Sequence, residues 1–223
     1  MKKIISVFVI GLLLLSNNSL TAQDNTQLGL DIAKAQEKNR GQLMNYSWQR
    51  SSKAFVNDEE KTHSLVKVWF NTEGKMENSV LSSESTGKKK RGIRGKVQQS
   101  ASEDMSTLIE HSISMTIKYV YLTKGNWIDL LDRPGVKVEN NLVKIDTKDL
   151  LLNGDEVHYV IDENTKLFKS INITSQVDGK TFNCTIEFKT MSDGTNHPNR
   201  TVITLPSESM KITAENIDYI KQQ

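Results

Sequence analysis

The chain has 223 residues, with 29 Lys and Arg against 27 Asp and Glu and a formal net charge of +2. So balanced a charge excludes a whole-surface preference for nucleic acid or anionic membrane. A single cysteine, Cys184, excludes an internal disulfide, so a hydrophobic core must hold the fold.

Lys2 and Lys3 precede an apolar run from Ile4 to Leu15, and Leu20-Thr21-Ala22 stands before Gln23. Positive start, apolar centre and small residue at the cut are the features of an export signal. The run is about 12 residues, short of the ~20 needed to span a bilayer. The expectation is a signal peptide at 1–22, cleaved before Gln23, and one domain at 23–223. Cleavage removes Lys2 and Lys3 and leaves 27 basic against 27 acidic residues. No cysteine stands at the cleavage site for lipidation, and no later stretch is apolar enough to span a membrane. A periplasmic or secreted location follows.

The spacing of Leu28, Ile32 and Ala35 predicts a helix over Leu28 to Gln42. Met44, Tyr46 and Trp48 then alternate with Asn45, Ser47 and Gln49 as in a strand. Leu65 to Phe70 is a second β-rich run, ended by a turn at Thr72-Glu73-Gly74. Ser85 to Lys96 reads as a loop with two basic clusters, Lys88-Lys89-Lys90-Arg91 and Arg94-Gly95-Lys96. Ser100 and Glu103 have capping-box spacing for the start of a helix. Met105, Leu108, Ile109, Ile113, Ile117 and Val120 form its apolar stripe. A shorter helix, Asn126 to Leu131, stops at Arg133-Pro134-Gly135.

From Val136 the chain reads as strand and turn. Asn153-Gly154, Asp178-Gly179 and Asp193-Gly194 have hairpin chemistry, because Asn, Asp and Gly tolerate positive φ. In Lys180 to Thr190, Phe182, Cys184, Ile186 and Phe188 share one face; Leu167, Ile171, Ile173 and Val177 mark the matching face of the preceding strand. Thr201 to Leu205 and Met210 to Tyr219 supply the last strands. A sheet apolar on one side needs a cover, and the helices are the candidates. The fold class is therefore α+β: a curved antiparallel sheet, an unclosed half-barrel, covered on its concave face by helices.

This order of elements resembles the lipoprotein-carrier and outer-membrane lipoprotein-sorting fold of the bacterial periplasm. The likeness is carried by Thr174-Ser175-Gln176-Val177-Asp178-Gly179-Lys180, Phe188, Asp193-Gly194, Pro198-Asn199-Arg200-Thr201 and Ile217-Asp218-Tyr219. The chain is also similar to uncharacterised exported bacterial proteins with an Asn45-Tyr46-Ser47-Trp48 segment after the first helix. The resemblance implies an unclosed β-barrel and binding of acyl chains in an apolar concavity. It transfers no binding residue one to one.

Chemistry-bearing motifs are sparse. His63, His111, His158 and His197 never fall within four residues of one another, so no helical zinc pair exists and no metal or cofactor is expected. His158 is expected on an exposed strand face. There is no Gly-x-Ser-x-Gly elbow, and Cys184 shares the apolar face of its strand, as a buried residue does. Asp178-Gly179-Lys180-Thr181 has Thr174 where a phosphate loop needs its first glycine. Asp155-Glu156 and Asp162-Glu163 read as turn carboxylates. No catalytic residue is assigned.

Two sets of binding residues remain. Trp48, Trp69, Leu108, Ile113, Ile117, Phe182, Ile186 and Phe188 are candidates to line an apolar cavity between the helix stripe and the sheet. Lys88, Lys89, Lys90, Arg91, Arg94 and Lys96 are candidates to contact anionic head groups or a partner. Without an aromatic among them they do not suit nucleic acid. The leading function is an exported binding or carrier protein for a lipid or lipoprotein acyl chain. The alternative is a cell-envelope protein–protein interaction module with a self-filled core; an enzyme ranks last.

Overall fold

The computed structural model describes residues 25–85 and 93–222, and among these the side chains of all but 85 and 93–106. The signal-peptide reading and Lys88 to Arg91 lie outside the described residues. The elements in chain order are α1 (25–43), β1 (Tyr46–Val56), β2 (Glu59–Phe70), β3 (Met76–Ser85), α2 (Ile93–Val120), α3 (Lys124–Leu131), β4 (Val136–Glu139), β5 (Leu142–Lys148), β6 (Glu156–Asp162), β7 (Phe168–Val177), β8 (Lys180–Thr190), β9 (Asn196–Leu205) and β10 (Met210–Lys221).

The ten strands form one antiparallel sheet in the order β3-β2-β1-β10-β9-β8-β7-β6-β5-β4. β3 and β4 are free edges, so the sheet is curved but not closed. Neither edge offers a long regular template for pairing. β4 has four residues, and the β2–β3 pairing is broken by a register shift at Leu65/Val66. The Asp178-Gly179 hairpin has φ of 50° and 72°, the paired left-handed geometry that fits the twist of two strands. Gly135 has φ 108°, and a Cβ there would come within 2.3 Å of the Asp146 carbonyl, so only glycine fits between α3 and β4.

Helices α1 and α3 cover one half of the concave face. Trp127, Leu130 and Leu131 of α3 and Ile32 of α1 pack with Tyr159, Phe168, Ile171, Ile173 and Phe182 from β6, β7 and β8. The Trp127 ring lies 5.4 Å from Tyr159 and 5.9 Å from Phe168, centroid to centroid. The Thr123 hydroxyl accepts from the Asn126 amide and the Asn126 side chain accepts from Thr123, a capping box that starts α3. A second cluster, Leu43, Trp48, Val68 and Phe70, fills the opposite corner of the sheet, where Trp48 stacks on Tyr219 at 5.4 Å.

The structure adds one strand and corrects three local expectations. β3 occupies a stretch that carries no alternation, because an exposed edge strand needs no dry face. α2 begins at Ile93, so Arg94 and Lys96 stand in a helix and not in a loop; Lys, Arg and Gln are adequate helix formers, and Ser100 lies inside. In β7 the buried residue is Phe168, not Leu167, because a register shift between β6 and β7 at Val160/Ile161 rephases the alternation. Of the predicted α2 stripe, Leu108 is buried in the core, while Ile109, Ile113 and Val120 pack against it only in part.

The deepest face of α2 is Leu108, Ser112, Thr116 and Tyr119, all buried, and not the isoleucine stripe. Ser112 donates to the Leu108 carbonyl at 2.7 Å and Thr116 to the Ser112 carbonyl at 2.9 Å. Satisfied within the helix, these small hydroxyl residues can be buried without a penalty and let the backbone approach the sheet. Tyr119 pins the end of the helix. Its hydroxyl donates to Asp155 at 2.7 Å and lies 2.9 Å from Ser175, while its carbonyl accepts from the Tyr159 hydroxyl at 2.9 Å. Asp155, read from sequence as an ordinary turn carboxylate, is fully buried and also accepts the amides of Leu150, Leu151 and Leu152.

Candidate functional site

With α2 anchored through its polar face, Ile109, Ile113 and Ile117 are set less deeply, Ile109 and Ile113 packing in part against the core. They are half-buried or exposed, Ile117 by 38%. Together with Val120 they roof a cavity of about 440 Å³. Its floor is the inner face of the half of the sheet that α1 and α3 leave bare. β1 contributes Arg50, Ser52 and Ala54, paired across to Asn216, Ala214 and Ile212 of β10. Val66, Ile186 and Ile203 extend the floor on either side. The three rungs from Arg50 to Ala54 run roughly 13 Å at about 3.3 Å per residue.

The floor is graded in polarity. Ala54, Ile212, Ile203 and Ile186 make one end largely aliphatic, with Thr62 beside Ala54 and Thr201 beside Ile186. The other end is polar. Asn216 Oδ1 accepts from Trp48 Nε1 at 3.1 Å and from Arg50 Nε at 3.0 Å, and its amide donates to the Pro198 carbonyl at 2.9 Å. Tyr121, just beyond α2, stands at this end with Arg40 over its ring at 5.1 Å. Burial raises the Tyr121 phenol above its ordinary value and lowers the Arg50 guanidinium below its own.

Of the eight apolar residues singled out from the sequence, Ile113, Ile117 and Ile186 line this cavity. Leu108, Phe182 and Trp48 are packed into the cores, and Trp69 is half-buried on the face of β2 opposite Val68. Phe188 lines a separate crease of about 580 Å³ along α1, whose wall carries Asp31, Lys34, Glu37 and Arg40. That crease is larger, and one of its walls is charged. Sequence reasoning missed Arg50, although the alternation Trp48-Gln49-Arg50 places an arginine on the apolar face of its strand.

Features that would support catalysis do not converge. His111 pairs with Asp178 at 2.8 Å, His158 pairs with Asp146 on the outer face, and His63 lies 3.1 Å from Ser51. His197 is buried against Tyr219, ring centroids 4.1 Å apart. Among the described residues no group of three or more His, Cys, Asp or Glu could hold a metal ion. Cys184 is buried against Thr116, and burial pushes its thiol up to about 11. A thiol reagent is therefore expected to modify Cys184 slowly in the native protein and rapidly in denaturant. Stopped-flow labelling with equal rates in both states would contradict the inward facing of β8.

No protein-family model and no curated protein matches the chain. Solved structures do. A DUF1329 family protein from Desulfovibrio piger is 8% identical, with 88% of this chain and 92% of that one covered and a TM-score of 0.40. A LolA superfamily protein from Nitrosomonas europaea is 8% identical over 86% and 92%, TM-score 0.40. An outer membrane lipoprotein-sorting domain from Vibrio parahaemolyticus is 9% identical over 89% and 94%, TM-score 0.41. These likenesses are of outline, and the functional reading rests on the cavity. Among the described residues no helix is long and apolar enough to cross a membrane.

Proposed function

We propose that the protein is an exported binding or carrier protein that holds a lipidic acyl chain, free or on a lipoprotein, in the isoleucine-roofed cavity. The observation that carries this reading is the cavity of about 440 Å³ that Ile109, Ile113, Ile117 and Val120 line together with Ala54, Ile186, Ile203 and Ile212. Apolar surface facing an empty apolar hollow loses both dispersion contacts and freedom from water, and a hydrocarbon chain restores them. The volume of about 440 Å³ lies in the usual range for small-ligand pockets, roughly 300–1,000 Å³. The alternative of a module filled by its own helices gains no support from an open cavity. No catalytic residue is proposed.

A fluorescent fatty acid is expected to bind saturably. Ile113→Trp, which fills the roof without adding charge, is expected to weaken binding on the order of 10-fold or more and to leave the thermal midpoint broadly unchanged, because Ile113 is only partly buried against the core and also borders the cavity. Fluorescence titration showing no saturable binding by the native protein sinks the carrier reading.

A further inference from the structure

The cavity wall holds a guanidinium that has no carboxylate partner among the described residues. Arg50 points from β1 into the polar end of the cavity, packed round by protein but facing its free space. A guanidinium has five N–H donors. Nε–H is spent on Asn216, and Nη2 has only the Met76 sulfur, at 3.7 Å. Among the described residues no carboxylate lies within ion-pair distance of it. The groups that act on its charge are the phenols of Tyr219 and Tyr121. The other charged lining residues are accounted for: Lys53 pairs with Glu60 at 2.9 Å, and Glu110 is exposed, about three turns upstream of Tyr121 on α2.

A partly buried charge without an ionic partner costs a fold stability, and replacing such groups by apolar ones is often stabilising. Arg50 also presents a planar fork suited to two parallel bonds with a carboxylate or phosphate. The aliphatic end lies along the same floor, which runs roughly 13 Å from Arg50 to Ala54. We propose that Arg50 is a head-group anchor: its free η N–H groups grip the oxyanion of a single-chain amphiphile, carboxylate or phosphate, whose chain lies under Ile109, Ile113 and Ile117. This rests on the acyl-chain reading of the cavity and adds the charge and polarity of its ligand. A free anion would satisfy Arg50 but leave the isoleucines bare, so head and chain belong to one molecule.

Calorimetric titration of the full chain with dodecanoate, dodecyl phosphate, dodecanol and inorganic phosphate tests this directly. Both anionic amphiphiles are expected to bind on the order of 10- to 100-fold more tightly than dodecanol, the worth of charge-assisted hydrogen bonds. Arg50→Gln is expected to remove that gap while leaving dodecanol binding within about threefold, and Arg50→Lys to keep most of it. Arg50→Met is expected to hold or raise the thermal midpoint. Equal affinity of the native protein for dodecanol and dodecanoate overturns the anchor but not the acyl-chain cavity, and needs no variant to be seen. Inorganic phosphate that binds as tightly as dodecyl phosphate and displaces it makes this a free-anion site and overturns the amphiphile. A variant that melts well below the native protein and loses dodecanol and dodecanoate equally assigns Arg50 to the wall itself. If no amphiphile binds, the cavity reading falls and the anchor falls with it.

Discussion

Asp155→Ala is expected to lose about 3–5 kcal/mol of folding stability, one of the two largest effects of any single substitution considered. The carboxylate is fully buried, and it accepts the amides of Leu150 at 2.7 Å, Leu151 at 2.9 Å and Leu152 at 3.0 Å and the Tyr119 hydroxyl at 2.7 Å. Alanine leaves the three amides without an acceptor inside the protein and the Tyr119 hydroxyl with only Ser175, 2.9 Å away. Asp155→Asn keeps one oxygen but turns an NH2 toward donors, so it recovers only part of the loss. The effect reaches α2, because Tyr119 fixes the end of the helix that roofs the cavity. Burial works against the charged form of Asp155, but the Tyr119 and backbone hydrogen bonds outweigh it and hold the carboxyl below its ordinary 3.8.

Such a depressed group contributes stability that is fully present above the unfolded-state value, roughly 3.9, and is lost as pH falls through the folded value. Asp193 acts in the same window. The Tyr46 hydroxyl at 2.6 Å and the Thr195 amide at 3.0 Å bring its carboxyl down to about 2. The stability gap between the native chain and Asp155→Asn is therefore expected to be constant near neutral pH and to narrow as pH falls below about 4. Urea unfolding at a series of pH values reads it, and a gap that stays constant into strong acid contradicts the assignment.

Trp127→Ala is expected to cost about 3–5 kcal/mol, the range for deleting a large aromatic from a packed core. The side chain is 1% exposed and wedged against Tyr159 and Phe168. It stands on a helix of eight residues, too short to persist without docking. α1 packs on the same place: a Cβ on Gly29 would lie 3.1 Å from the Trp127 carbonyl. Deleting the ring thus loosens two helices at once. For a chain of this size the thermal midpoint falls on the order of 10 °C, and Trp127→Phe retains much of the difference. A loss below about 1 kcal/mol by calorimetry would mean that α3 is not docked as described.

What the sequence made legible follows from where water is excluded on one side only. β8 and the hairpin at Asp178-Gly179 could be read because Phe182, Cys184 and Ile186 alternate cleanly with wet residues. β3 could not, since both its faces are largely exposed, with Val80 at 65% and Leu81 at 51%. The isoleucine stripe of α2 was visible as a stripe, but periodicity reports only that residues share a face, not whether protein or empty space lies opposite. Ser112 and Thr116 hid the true contact face because their polarity is cancelled inside the helix, which no hydropathy pattern records. Asp155 was hidden for a related reason: a carboxylate beside a turn looks the same whether it caps the turn in water or is caged beneath it.

The pairing of β1 with β10 has a consequence for the order of assembly. Arg50 and Asn216 face each other across that seam, 166 residues apart. Every other pair of neighbouring strands is consecutive in the chain, so β1–β3 and β4–β10 can each zip up from local turns. The seam cannot form until the final strand has been delivered, and it demands the largest loop closure in the molecule. The floor of the cavity straddles that seam. Delivery of β10 is thus the step that completes the cavity floor, and the long-range closure is expected to be slow relative to the local hairpins.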